Sequence, residues 1–276
     1  MTLPALADIL LERRQSALIA TLNRPQAKNA LNGAMVEGLF ALCDWLAGNR
    51  EIRALVLRGA GGTFCAGGDI KEFAAQLMSV EPAQGEADPV VKGNRRFGDL
   101  LLKLDALPQV VVSLIEGAAF GGAMGFIAVS DVAIADGGAK FSLSETTLGL
   151  PPAQIGPFVV RKIGLFNARR LALTGARFGA EEALRAGLVD RVTGPAGADG
   201  ALTDVLNEIG RCEPAAIAAT KRIFNKAARS VDPAELDAAA KDFAQCLRGA
   251  GRLGAAAFAQ KQAAPWLEAF SERAET

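Results

Sequence analysis

The chain has 276 residues, half of them apolar, and its thirty acidic and thirty basic side chains cancel to a formal net charge of zero. That length allows one large core plus an appendage, and the charge balance gives no electrostatic reason for a nucleic-acid or membrane-surface partner. The absence of histidine and tyrosine excludes Ser-His-Asp and Cys-His catalysis, His-ligated metals and a phenolic donor, leaving carboxylates, Lys, Arg, Cys, Ser or backbone for any chemistry.

Residues 1–8 lack the basic start and apolar core of a signal peptide, so they are expected to stay with the protein. The most apolar stretch, 110–135, is interrupted by Glu116 and Asp131, short of the roughly 18 residues a membrane helix needs. Cys43, Cys65, Cys212 and Cys246 show neither CxxC spacing nor a disulfide framework, which suits a reducing cytoplasm. A soluble, cytoplasmic protein without a metal site is expected.

Taken in order, residues 9–14 and 17–22 predict two short strands around a turn at Gln15 and Ser16. A loop through Pro25 follows, and Asn32 is placed to cap a helix carrying Met35, Leu39, Leu42 and Leu46. Residues 54–57 read as a buried strand, and this strand-helix-strand order argues for an α/β core. A Gly-rich turn spans 59–70, with Asp69 expected in the first turn of a helix. Residues 79–93 read as a loop, 94–107 as a helix with Phe97, Leu101 and Leu104 on one face, and 110–115 as a buried strand.

That strand runs into a second Gly-rich turn, 117–125, and then a core helix. A strand that turns through glycines into a helix leaves backbone N–H groups unpaired at the helix start, where they can face a developing negative charge. The alternative is glycines selected only for close packing. Two such turns after two strands are what an oxyanion hole built from two peptide units requires. Strands follow at 131–135 and 139–142, and then Glu145, a solitary acid between Asp136 and Glu181. Burial among apolar, Gly and Pro residues would raise its pKa toward neutral proton transfer; a surface Glu or a helix cap is the competing reading.

Beyond 159 the chain is mostly helical, with a hinge at 194–200 that sets the expected boundary between a core, 1–193, and a helical region, 194–276. The basic residues Arg161, Lys162, Arg169 and Arg170 read more readily as a solvated face than as an anion site. Helices are expected at 202–212, 214–228 and 233–248.

Four blocks together, Leu22-Asn23-Arg24-Pro25 with Lys28-Asn29-Ala30-Leu31, Phe64-Cys65-Ala66-Gly67-Gly68-Asp69-Ile70-Lys71, Glu116-Gly117 through Gly121-Gly122, and Ser144-Glu145-Thr146-Thr147-Leu148-Gly149, resemble the crotonase superfamily of enoyl-CoA hydratases and isomerases. The resemblance implies a crotonase-like spiral of ββα units with a C-terminal helical trimerisation region, assembled as a homotrimer or a dimer of trimers. It implies an acyl-CoA substrate, with coenzyme A as part of the thioester and no separate cofactor. The thioester oxygen would then sit between the amides of Gly68 and Gly122. Ala66, Gly68, Asp69, Ile70 and Lys71 would line the CoA arm, and Arg24, Ala27 and Lys28 would lie near the nucleotide. Phe258 and Lys261 would approach the CoA of an adjoining subunit.

Family hydratases carry two glutamates; Glu145 stands at the second position and Gly125 at the first. Blocks 121–126 and 144–160 look like those of bacterial methylglutaconyl- and isohexenylglutaconyl-CoA hydratases, with Glu145 as acid/base and the substrate's distal carboxylate or a water expected above Gly125. A Δ3,Δ2-enoyl-CoA isomerase using Glu145 alone, and a catalytically silent CoA-ester binder, are the alternatives. Dehalogenase chemistry would want a nucleophilic carboxylate soon after Pro152, and no acid occurs there before Glu181.

Overall fold

The structure is a computed structural model that describes residues 2–69, 72, 89–228, 253, 257, 260, 262, 263, 265 and 266. A six-stranded sheet takes the order β1 (Ile9–Arg14), β2 (Ala17–Leu22), β3 (Ala54–Gly59), β4 (Val110–Ile115), β6 (Val132–Asp136), β9 (Arg191–Thr193). β1 pairs with β2 antiparallel and every later pairing is parallel. A second sheet holds β5 (Ala118–Phe120), β7 (Lys140–Ser142) and β8 (Arg177–Gly179).

Two isolated parallel bridges extend the small sheet: Cys65 opposite Ala119 on β5, and Leu31 opposite Gly68. The chain therefore repeats one motion. A strand in the large sheet leads to a short extended segment in the small one, after β2 to Leu31, after β3 to Cys65–Gly68, after β4 to β5 and after β6 to β7. This is the ββα spiral and the α/β class expected from the sequence.

The central strands read as unbroken apolar runs because both faces of the sheet are covered. Leu18, Ala20, Leu55, Leu57 and Val111 face helices α1 (Gly33–Gly48), α2 (Pro89–Asp105), α3 (Gly122–Val129) and α4 (Gly156–Thr174), while Ala17, Ile19, Val56, Val112 and Leu114 face the opposite way. The latter are covered by Leu202, Val205, Leu206 and Ile209 of α6 (Ala198–Gly210). α5 (Ala180–Arg185) and α7 (Pro214–Ala227) complete the described helices, none of which is long and apolar enough to cross a membrane. α6 begins inside the hinge expected at 194–200, so the first helix past the expected boundary closes the second face of the sheet.

Asn32 caps α1 as expected, accepting the Met35 N–H at 2.8 Å. Among the described residues, α2 is already helical at Pro89, five residues before the expected 94. β5 interrupts the turn that was expected to pass straight from strand to helix; Ala118-Ala119-Phe120 has little strand character of its own and is held by pairing to β7 and Cys65. Asp69 lies outside any helix, its backbone N–H donating to Leu31 O at 2.9 Å. The helix expected at 233–248 falls outside the described residues.

Candidate active site

The two Gly-rich turns meet because of the bridge between Cys65 and Ala119. Cys65 N–H donates to Ala118 O, and Phe120 N–H donates to Cys65 O, both at 3.0 Å. A parallel bridge keeps two chains in step, so Gly68 and Gly122, each three residues past the bridged pair, fall at equivalent places. A Cβ built on Gly67 would lie 2.8 Å from Phe120 O and 3.6 Å from Gly121 Cα, and one on Gly121 would lie 3.8 Å from Gly67 Cα. Gly67 has φ +95°; any side chain there would strain the backbone and separate the turns.

The second bridge orients the Gly68 amide. Leu31 N–H donates to Gly67 O at 2.8 Å and Asp69 N–H donates to Leu31 O at 2.9 Å. In a parallel ladder the residue between those two bonds turns its own N–H to the opposite side. The Gly68 N–H consequently has no partner among the described residues. Gly122 opens α3, so its N–H is one of the four that a helix start leaves unpaired. Leu31 Cδ1 and Phe97 stand 3.0 and 3.5 Å from where a Gly122 Cβ would be.

Glu145 begins the 3-10 turn Glu145–Leu148. That turn is tied to α4 through Thr146 Oγ1, which donates to Ala172 O at 2.7 Å. The carboxylate is directed at the meeting point of the Gly-rich turns: its Oε1 lies 3.4 Å from the Cβ position of Gly121. Its Oε2 is buried without a hydrogen-bond partner. Desolvation raises the Glu145 pKa above the ordinary carboxylate range, against a smaller opposing hydrogen bond from its own backbone N–H.

At Gly125 a Cβ would lie 2.7 Å from Ile155 Cγ2 and 3.0 Å from Leu101 Cδ1, so any side chain there would have to displace these two neighbours.

The residues expected along the CoA arm fall into two groups. Ala66 N–H donates to Lys28 O at 3.0 Å, which ties the two segments together. The half-buried Ala66 carbonyl and the exposed Lys28 ammonium have no partner among the described residues. Ala27 is half-buried in the 3-10 turn Pro25–Ala27. Arg24 is engaged internally by Ala30 O, Asp69 and Asp8. Ile70, Lys71, Phe258 and Lys261 lie outside the described residues. No group of three or more His, Cys, Asp or Glu side chains among the described residues is placed to hold a metal.

Two residues that sequence reasoning did not single out as functional hold this arrangement. Asn29, fully buried at φ +55°, donates from Nδ2 to Ala60 O and Thr63 O at 2.9 and 2.6 Å and accepts the Arg24 N–H at 2.9 Å. Cys65 Sγ accepts the Gly67 N–H at 3.4 Å. The signal for Asn29 was its chemistry, since asparagine tolerates the left-handed region and bridges backbone groups.

The Enoyl-CoA hydratase/isomerase family model matches residues 12–269. A short-chain-enoyl-CoA hydratase from Clostridium acetobutylicum is 30% identical over 223 residues, covering 80% of this chain and 82% of that one. The solved structure of AtuE from Pseudomonas aeruginosa superposes with a TM-score of 0.90 at 47% identity, covering 95% of this chain and 100% of that one. An enoyl-CoA hydratase/isomerase from Marinobacter aquaeolei superposes with a TM-score of 0.90 at 42% identity, covering 95% and 99%. With nearly its whole length matched in sequence and in fold, this chain belongs to the enoyl-CoA hydratase/isomerase family.

Proposed function

We propose that the protein hydrates a 2-enoyl-CoA, with the thioester oxygen held between the Gly68 and Gly122 amides and Glu145 as the single acid/base. The observation that carries this reading is the buried, unpartnered Glu145 Oε2 on a carboxylate that abuts the contact of the two Gly-rich turns. Glu145 takes a proton from water as the oxygen bonds to C3, and the electron pair moves onto the thioester oxygen as an enolate. Glu145 then returns that proton to C2, so that one water is added overall. Donors fixed before the reaction act on the enolate without reorganising, each worth on the order of 3–4 kcal/mol.

The CoA arm would run along Ala66 and Asp69 toward Ala27 and Lys28, with Ile70, Lys71 and Lys261 as further candidates. A branched glutaconyl ester is the finer substrate proposal, supported by the likeness of blocks 121–126 and 144–160. Glycine at 125, where a second acid would otherwise stand, supports a second reading, isomerisation, because one carboxylate suffices to move a proton from C2 to C4 of a 3-enoyl ester. Incubation with crotonyl-, 3-enoyl- and 3-methylglutaconyl-CoA, with products separated by chromatography against 2-enoyl and 3-enoyl standards and weighed by mass spectrometry, tests both. Gain of one water identifies hydration; an altered double bond at unchanged mass identifies isomerisation; neither leaves a CoA-ester binder.

Assembly as a homotrimer or dimer of trimers is supported by α4, which exposes Leu165, Phe166 and Leu173, Phe166 at 81%. Light scattering of the purified chain measures it, and a monomeric mass refutes it.

A further inference from the structure

We propose that Arg24 is a positioning residue that polarises the Gly68 amide through one intervening peptide unit, and is not a ligand for the phosphates of coenzyme A. Its Nη1 donates to Ala30 O at 2.6 Å. The same peptide unit carries the Leu31 N–H, which donates to Gly67 O at 2.8 Å. The Gly67 carbonyl shares its peptide unit with the Gly68 N–H, which is left facing away from Leu31. A cation therefore heads a chain of two hydrogen-bonded peptides that ends at one proposed oxyanion donor. Accepting a hydrogen bond at its carbonyl makes an amide a stronger donor at its N–H, by roughly 10–30% per bond in condensed-phase estimates.

Arg24 grips this turn from its other side as well. Nη2 donates to Asp69 Oδ2 at 3.0 Å, one residue past Gly68. Nε lies 3.6 Å from Asp8 Oδ2, a carboxylate that also accepts from Asn32 Nδ2 at 2.9 Å. With its side chain 16% exposed and two carboxylates beside it, the guanidinium is screened from an incoming phosphate. Lys28, exposed and without a partner among the described residues, is the better cation for that purpose.

The inference rests on the Gly68 amide facing the thioester, and the experiment separates the two ideas. A saturated acyl-CoA labelled with 13C at the carbonyl is bound to wild-type protein, Arg24→Gln, Arg24→Lys and Asp8→Asn, and the carbonyl stretch is read by difference vibrational spectroscopy. The wild-type band moves below its free-solution position, Arg24→Gln loses part of that shift, and Arg24→Lys keeps most of it. Asp8→Asn loosens the cluster without touching the relay and leaves the band in place. In turnover, kcat of Arg24→Gln falls by about three- to fivefold, equally for an acyl-CoA and for the acyl-pantetheine that lacks the nucleotide, with little change in KM. Arg24→Lys keeps the relay testable should Arg24→Gln not fold.

An unshifted wild-type band overturns the two-amide site and the relay with it. A wild-type shift that Arg24→Gln retains in full, an equal loss in Asp8→Asn, or a KM increase confined to the CoA ester overturns the relay alone.

Discussion

Glu145→Gln should abolish turnover while making the protein more stable, two effects of opposite sign from one substitution. One carboxylate oxygen of Glu145 is buried with no hydrogen-bond partner, and its pKa is raised chiefly by desolvation. The folded state therefore binds this proton more tightly than the unfolded chain does, so above the folded pKa the ionised carboxylate subtracts from stability. Below the unfolded value the acid is protonated in both states and that cost disappears. Glutamine removes the charge and keeps the shape. At neutral pH the variant should gain on the order of 1 kcal/mol, or about 2–4 °C in Tm for a chain of this size. The gain should shrink as pH falls through the folded pKa, because the wild type then takes up its proton. Losing the acid/base should lower kcat by about 100- to 10,000-fold, roughly 3–5 kcal/mol of barrier, with CoA-ester affinity little changed. The acid limb of the wild-type pH–rate profile, set above the ordinary carboxylate range, should vanish with it. Calorimetry across pH beside steady-state kinetics reads all of these. A variant that retains wild-type turnover, or melts below the wild type at neutral pH, would refute the reasoning.

Gly125→Ala should destabilise by about 1–3 kcal/mol by overpacking, since its Cβ would meet Ile155 Cγ2 at 2.7 Å, and Gly125→Glu should cost more without raising hydration; a Gly125→Glu variant that folds normally and turns over faster defeats this account. Asn29→Ala removes three side-chain hydrogen bonds from a buried left-handed position and should lower stability by about 3 kcal/mol, read as a Tm fall of roughly 6–12 °C. Among the described cysteines, a thiol-specific reagent should label exposed Cys212 and spare Cys43 and Cys65, whose thiols burial pushes up to about 12; peptide mapping by mass spectrometry checks this, and rapid native labelling of Cys65 would contradict the packing around the Gly-rich turn.

Much of the fold was legible because its signals are local. β1 and β2 follow from apolar runs around a turn, α1 from a capping asparagine and helical spacing, and the α/β order from alternation. The signals failed where geometry depends on partners distant in sequence. Ala118-Ala119-Phe120 becomes a strand only because β7 and Cys65 lie beside it. Residues 89–93 are already helical, yet Pro89 and Gly93 are residue types that also mark loops, so their sequence neighbours alone do not separate the two roles. The solitary Glu145 was readable as a carboxylate out of place, and the structure sets it at the contact of the two turns. Gly125 was readable only as a missing acid, because the Ile155 and Leu101 side chains that fill its space are contributed by other segments.

The proposed site is built largely from backbone, which is why it calls for so few side chains. The register of one bridge, Cys65 with Ala119, places two amides at matching offsets, and a second bridge, Leu31 with Gly68, turns one of those amides outward. A side chain at Gly67 would clash with Phe120 O, whereas substitutions that leave the carbonyls at 31, 65, 67 and 118 in place leave the frame intact. Under the proposed two-amide site, the candidates for acyl-chain selectivity are Leu31, Phe97, Leu101 and Ile155, whose side chains stand within 4 Å of the Cβ positions of Gly122 or Gly125 on α3. Leu101→Ala, which opens space beside Gly125, should shift preference toward bulkier acyl-CoA esters while the oxyanion frame and kcat on a short ester change little. Unchanged chain-length preference in that variant would place the acyl pocket elsewhere.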